Sequence, residues 1–168
     1  MLYYFGQFLG IVSTICCLIL PLLKKKWQML VMTAAINIFC ALNLVFIGRM
    51  GSVIMIYVVA VIQTIVALIH QKNSSEVTKA ESVIFFVLYV VCGCVSLQSA
   101  IDILPVVGAV FYMLATFQKD VQKTRYWLLA NASVFLVYYA LIGSTSAFCT
   151  LCTLVTTIFA LIKYRKSK

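Results

Sequence analysis

Long apolar runs separated by short polar breaks make up most of the chain. Each run is roughly as long as an α-helix must be to cross a ~30 Å hydrocarbon core at 1.5 Å per residue. Seven runs can be marked, at residues 2–22, 28–47, 52–70, 82–98, 103–118, 126–142 and 145–162. Breaks such as Lys24 to Trp27 and Gly48 to Ser52 are only a few residues long. Neighbouring helices must therefore turn back on one another as antiparallel hairpins, because so short a connection cannot reach past a third element. The expected fold is all-α, a polytopic membrane protein of about seven transmembrane helices.

The longest hydrophilic stretch, Gln71 to Glu81, divides the chain unevenly and reads as a linker. The runs before and after it follow one plan: helix, basic loop, helix, short Gly/Ser turn, helix. Local echoes accompany the plan, Phe46-Ile47-Gly48 against Leu141-Ile142-Gly143 and Thr64-Ile65-Val66-Ala67-Leu68-Ile69 against Thr157-Ile158-Phe159-Ala160-Leu161-Ile162. Two three-helix units can share one orientation only if an odd number of spans separates them, so the fourth helix acts as an inverting connector. The expected organisation is a first three-helix bundle at 1–70, the linker and fourth helix at 71–102, and a second bundle with a basic tail at 103–168.

Composition agrees with a lipid environment: 64% of residues are hydrophobic, 10% are charged, and the mean hydropathy is +1.10. A net charge of +9 in a soluble chain would raise the question of nucleic acid, but position decides otherwise. Twelve of the thirteen Lys and Arg residues sit in alternate loops or in the tail, and only Arg49 lies opposite. That asymmetry predicts a cytoplasmic C-terminus and an external N-terminus, with no nucleic-acid partner. The first run ends in Lys24, Lys25 and Lys26 rather than in a small-residue cleavage site, which reads as a retained span.

The motif Asp102-Ile103-Leu104-Pro105-Val106-Val107-Gly108 at the head of the fifth run, Trp127 near the start of the sixth and the small turn at Gly143 resemble the YgjV-type bacterial inner-membrane proteins over nearly the whole length. The resemblance implies a multi-pass protein of the bacterial inner membrane and carries over no catalytic or binding residue. The three-plus-one-plus-three plan is also similar, more distantly, to the PQ-loop and SWEET group of parallel-repeat proteins. Pro21 here lacks a following Gln, Gln118 lacks a preceding Pro, and Pro105 lies at the opposite end of its helix.

No Asp, Glu, Lys, Arg or His falls in the middle of a run, which argues against a carboxylate-driven pump. Asp102, Glu76, Glu81, Asp120 and His70 read as solvated interfacial groups, and Trp27 and Trp127 as interfacial anchors. The seven cysteines, including Cys149 and Cys152, lie inside apolar runs and read as packing residues. Gly6 and Gly10 have the small-xxx-small spacing of close helix contacts. With neither a paired carboxylate nor a metal motif at depth, no enzyme activity and no cofactor are expected.

Uncharged polar residues at mid-run are the remaining candidates. Asn37, Gln63, Asn131, Tyr138 and Thr157 are the expected solute-binding set, with Ser13, Thr14, Thr33, Thr64, Tyr112, Thr153 and Thr156 nearby in their runs. An amide facing hydrocarbon without a partner costs several kcal/mol, so these stripes must face protein or a wet cavity. The functional reading is a facilitator of a small uncharged or zwitterionic solute, working by alternating access between the two bundles. The alternative is a non-transporting membrane scaffold or assembly factor, whose polar groups hold helices together. The bilayer is a partner in both, and a homo-oligomer is compatible with either.

Overall fold

The computed structural model describes residues 2–47, 52–97, 99–141 and 146–165. Seven α-helices and two short 3-10 turns lie among them, with no strand: α1 Leu2–Ile19, α2 Lys26–Ile47, α3 Ser52–Lys72, α4 Lys79–Ser96, α5 Ile103–Phe117, α6 Val121–Leu141 and α7 Ser146–Arg165. The 3-10 turns are Leu20–Leu22, which closes α1, and Ala100–Asp102, which leads into α5. The two turns expected at 48–51 and 142–145, with Arg49 and Gly143, lie outside the described residues.

Three stretches are long and apolar enough to cross a bilayer: Tyr4–Leu22, Ala100–Phe117 and Ala147–Tyr164, with mean hydropathies of 2.0, 1.9 and 1.7. The remaining helices are of similar length but carry more polar groups or fewer described residues. Exposure confirms a non-aqueous outer face. On α1 the outward residues are Tyr4, Phe8, Ile11, Ile15 and Ile19, a helical-period stripe of large apolar groups. On α7 they are Phe148, Leu151, Val155, Phe159 and Ile162. Buried positions instead include Ser13, Thr33, Asn37, Gln63, Thr64 and Thr157. Polar inside and apolar outside is the arrangement that lipid selects and water does not.

Each helix packs against its neighbours in chain order, and α7 returns to α1, closing a ring. A further contact between α3 and α5 places α4 on the outside of that seam. The sequence of α4 explains its position: only Phe85, Tyr89 and Gly93, spaced by four, are buried, while Val83, Ile84, Val87, Val91 and Val95 face outward. One narrow stripe suits a helix that touches its neighbours along a single line.

Small residues set the closest approaches. Asn43 donates to the Gly6 carbonyl at 2.6 Å, and a Cβ on Gly10 would come within 2.7 Å of the Asn43 amide. The expected small-residue pair on α1 is thus the groove that α2 fills. At the second bundle, Asn131 reaches the Gly108 carbonyl at 2.8 Å, and Gly108 leaves room for the Phe135 ring. The Asp102 to Gly108 motif has a local logic. Asp102 accepts from the Ser99 backbone at 2.7 Å, and Pro105 sits in the first turn of α5, where its missing N–H leaves no bond unmade.

Several helices run past the apolar stretches that predict them, α6 the furthest. α6 begins at Val121, five residues ahead of the apolar run, because Asp120 accepts the Gln122 N–H at 2.7 Å and so caps a polar first turn. Within the linker, α3 runs on to Lys72 and ends with Ser74 in the left-handed region at φ 53°, bridged by Ser75 N–H to His70 C=O at 3.0 Å. Thr78 and Glu81 then form a capping box that starts α4.

Candidate functional site

The ends of α1, α3, α5 and α7 and the starts of α2, α4 and α6 meet at one end of the ring, where the basic residues of the alternate loops collect. Lys26 opens α2, and its ammonium donates to the Ala115 carbonyl and to Thr124 Oγ1, both at 2.8 Å. Arg125, one turn into α6, donates from Nε to Pro21 C=O at 2.9 Å, from NH2 to Leu23 C=O at 2.8 Å and from NH1 to Gln122 Oε1 at 3.1 Å. Its guanidinium also stacks 4.5 Å from the Tyr164 ring of α7, while Tyr164 donates to Leu22 C=O at 3.2 Å.

The sequence places these two cations in basic loops, and the structure buries them there: Lys26 is 7% and Arg125 2% exposed. The cause is the carbonyls left over at helix ends. Pro21 and the extended Leu23 break the helix, so the last carbonyls of α1 have no continuing N–H donors, and Arg125 supplies them from the other bundle. Lys26 does the same for the end of α5. A cation from the start of α2 thus sits on the end of α5, and one from the start of α6 sits beyond the end of α1.

Beside Lys26 a cavity of about 230 Å³ opens between α2, α3 and α5, bounded by Leu30, Ala67, His70, Gln71, Thr116 and Gln118 among others. A second, smaller pocket of about 10 Å³, roughly the space of one water, shares Lys26, Leu30 and Thr116 with it and is also lined by Met29, Thr33, Tyr112 and Leu128. Tyr112 is the hub of a hydrogen-bonded triad: Asn37 Nδ2 donates to its hydroxyl at 2.6 Å, and Thr64 Oγ1 lies 3.0 Å from it. Alongside, Gln63 donates to Met113 C=O at 3.1 Å and accepts from Tyr89 OH at 2.7 Å. Polar side chains thus occur from Lys26 at the basic end to Tyr112 and Gln63, set among apolar residues where α2 and α3 meet α5.

Of the five expected solute-binding residues, Asn37 and Gln63 belong to this group, Asn37 through Tyr112 and Gln63 through the neighbouring backbone of α5. Asn131 joins α6 to α5, Tyr138 packs against Tyr139 with ring centroids 5.4 Å apart, and Thr157 donates to Thr153 C=O of its own helix at 2.7 Å. Neither Asn37 nor Asn131 lines the cavity or the smaller pocket. Lys26 and Arg125 were missed as site residues, since charge at a helix start reads as solvated until the opposing helix end is placed.

His70 was expected as a solvated group, yet Nδ1 lies 2.7 Å from Ser75 Oγ and Nε2 3.0 Å from Glu81 Oε1, which ties the end of α3 to the start of α4. The His70 imidazole, with the Thr78 backbone N–H and hydroxyl, holds the Glu81 carboxyl down at about 2. Trp27 is exposed near the basic end, as an interfacial anchor would be, whereas Trp127 stacks on Phe111 at 5.9 Å. Cys16, Cys17 and Cys40 pack around Leu20, Met29 and Ile36, and Ser13 Oγ lies 3.0 Å from Cys40 Sγ.

The sequence matches a known family, Imp-YgjV, described as bacterial inner membrane protein, over residues 4–168. No curated protein and no solved structure matches it. With apolar outer stripes on its helices, a basic end and a family match over almost its full length, the chain belongs to the YgjV family of bacterial inner membrane proteins.

Proposed function

We propose that this protein is a facilitator of a small uncharged or zwitterionic solute, with the basic end in the cytoplasm, the N-terminus outside and the solute path along the seam between two parallel three-helix repeats. The observation that carries this reading is the 230 Å³ cavity at the basic end, with Lys26 on its wall and the Tyr112 triad further along α5. The cavity opens at the basic end and does not extend to the Tyr112 triad, which fits one state of an alternating-access cycle. The repeat reading draws support from reciprocity. Exchanging α1, α2 and α3 for α5, α6 and α7 turns the α3 to α5 seam into the α7 to α1 seam, and the Lys26 contact into the Arg125 contact. Chemistry on a substrate forms no part of this reading.

A scaffold without transport is the second reading, favoured by the Asn37 and Asn131 amides, each of which already has a protein partner. Interhelical bonds of this kind are worth roughly 0.6 to 2 kcal/mol each. Replacing Asn37 with Leu separates the readings when downhill solute flux in proteoliposomes and thermal unfolding are measured on one preparation. A facilitator loses flux beyond the loss of folded protein, because closing and opening the Tyr112 triad is then impaired. Flux that tracks only the folded fraction, or no flux of any small polar solute, ends the facilitator reading. With no Asp, Glu, Lys, Arg or His at the middle of a helix to carry a coupled proton, an imposed proton gradient should not drive the flux uphill.

A further inference from the structure

Two lysines and a histidine border the 230 Å³ cavity, and they are not equivalent. Lys119 pairs with Glu76 at 3.2 Å, and His70 meets Glu81 at 3.0 Å, so each already faces a carboxylate. Lys26 is the most buried of the three, touching both the cavity and the smaller pocket. Its two partners, Ala115 C=O and Thr124 Oγ1, are neutral. Among the described residues no carboxylate lies within ion-pair distance of it. An ammonium has three N–H donors and no acceptor, so protonated Lys26 keeps one donor and a positive charge with no counter-ion at the cavity, and burial, which pushes its pKa down to about 7, is what an anion there would offset.

Burying a cation in a helix bundle without a counter-ion is costly, and the cost is offset when an anion can reach it from an aqueous opening. The geometry points to a binding site in this cavity for a small solute bearing one carboxylate, free amino acids included, with the carboxylate on Lys26 Nζ. One open donor and one uncompensated charge match a monocarboxylate. A phosphate dianion would bring a second charge and more oxygens than the site has free donors. Thr116, Gln71 and Gln118 offer polar contacts, and Leu30, Ala67 and Phe117 offer an apolar wall for a short carbon skeleton. The volume lies below the ~300 to 1,000 Å³ of drug-sized sites and so selects small solutes. A zwitterion held this way is neutral overall, in keeping with the proposed facilitator. The role of the site as a substrate site rests on that reading, while its existence does not.

The test uses the full chain in nanodiscs at constant ionic strength, with radiolabelled acetate and glycine as probes and scintillation proximity as the readout. Saturable binding is expected, displaced by unlabelled acetate and glycine but at least tenfold less well by acetamide and glycinamide. Lys26→Gln should weaken acetate binding at least tenfold and Lys26→Arg less. Should Lys26→Gln fail to fold, Gln71→Trp changes an exposed cavity residue instead, and the added indole should abolish binding in folded protein. The proposal is overturned by the absence of saturable binding up to about 50 mM, a range that captures millimolar affinities. Equal competition by the amides, or acetate binding that survives Gln71→Trp, overturns it as well. Proteoliposome flux separates the two ideas: acetate binding without flux of any solute leaves the site standing and removes the facilitator. Flux of neutral solutes without acetate binding does the reverse.

Discussion

Arg125 shows how much one side chain can hold at the basic end. Its Nε and Nη2 reach the Pro21 and Leu23 carbonyls just beyond α1, and its plane lies on Tyr164 of α7, so the chain after α1, α6 and α7 converge on one guanidinium. Arg125→Ala strands two buried carbonyls and removes the stacking partner of Tyr164. A loss of about 3 kcal/mol in thermal or denaturant unfolding in detergent is expected. Arg125→Lys keeps the charge but cannot span both carbonyls and stack at once, so it should recover only part of that loss. Equal stability of the Ala and Lys variants would show that charge and geometry there contribute nothing. Tyr112 works differently: its hydroxyl serves both Asn37 and Thr64 and so ties α2 and α3 to α5.

At the scale of the helix, α4 is the least enclosed element, held by a stripe whose last member is Gly93. A Cβ there would collide with Val106 of α5, a β-branched side chain with little rotamer freedom to yield. Gly93→Ala gains roughly 1 kcal/mol of helix propensity and loses about 1 to 3 kcal/mol to overpacking, for a net destabilisation near 1 kcal/mol. At Gly10 the obstructing atom is the end of the Asn43 side chain, so Gly10→Ala should cost chiefly the Asn43 to Gly6 bond. A stabilised Gly93→Ala protein in thermal unfolding would show that α4 stands further from α5 than described.

The start of α4 carries a pH dependence with a definite sign. The Glu81 carboxyl is held at about 2, below its ordinary 4.5, by His70 and by the Thr78 backbone and hydroxyl. A depressed carboxyl stabilises the folded state above the unfolded value and ceases to as pH falls through the folded one. Amide protons of Glu81 and Ser82 should therefore stay protected from neutral pH down past 4.5 and lose protection near 2. Protection already lost around 4.5 would mean that the cap and the His70 contact do not form in solution.

For the whole molecule, the gathering of basic loops at one end makes orientation testable. Single cysteines placed in the 71–81 linker and at Lys168, in a cysteine-free background, should react with an impermeant thiol reagent only from the cytoplasmic side. A cysteine placed in 143–146 should react from outside. Labelling of position 168 from the external side would overturn the seven-crossing topology and the parallel-repeat reading with it. The ring also makes α1 and α7, at opposite ends of the sequence, neighbours in space.

Local pattern was enough to place the helices, because a run of about twenty apolar residues has no stable alternative in lipid and every backbone group must be satisfied within the segment. The same pattern made Asn37 and Gln63 buried polar groups, since any amide at mid-run needs a partner. It did not name the partners: Tyr112 and Tyr89 come from helices 75 and 26 residues away, and only packing brings them there. Lys26 and Arg125 could not be told from Lys24 or Lys123 by sequence, because each sits at a helix start beside other cations. What distinguishes them is which helix end of the opposite bundle lies within reach, and hydrophobicity, being non-directional, does not encode that. The sequence by itself determined the solvent, the helices and the polar interior. The tertiary structure alone decided which charges are buried, which helix ends they close and where the cavity opens.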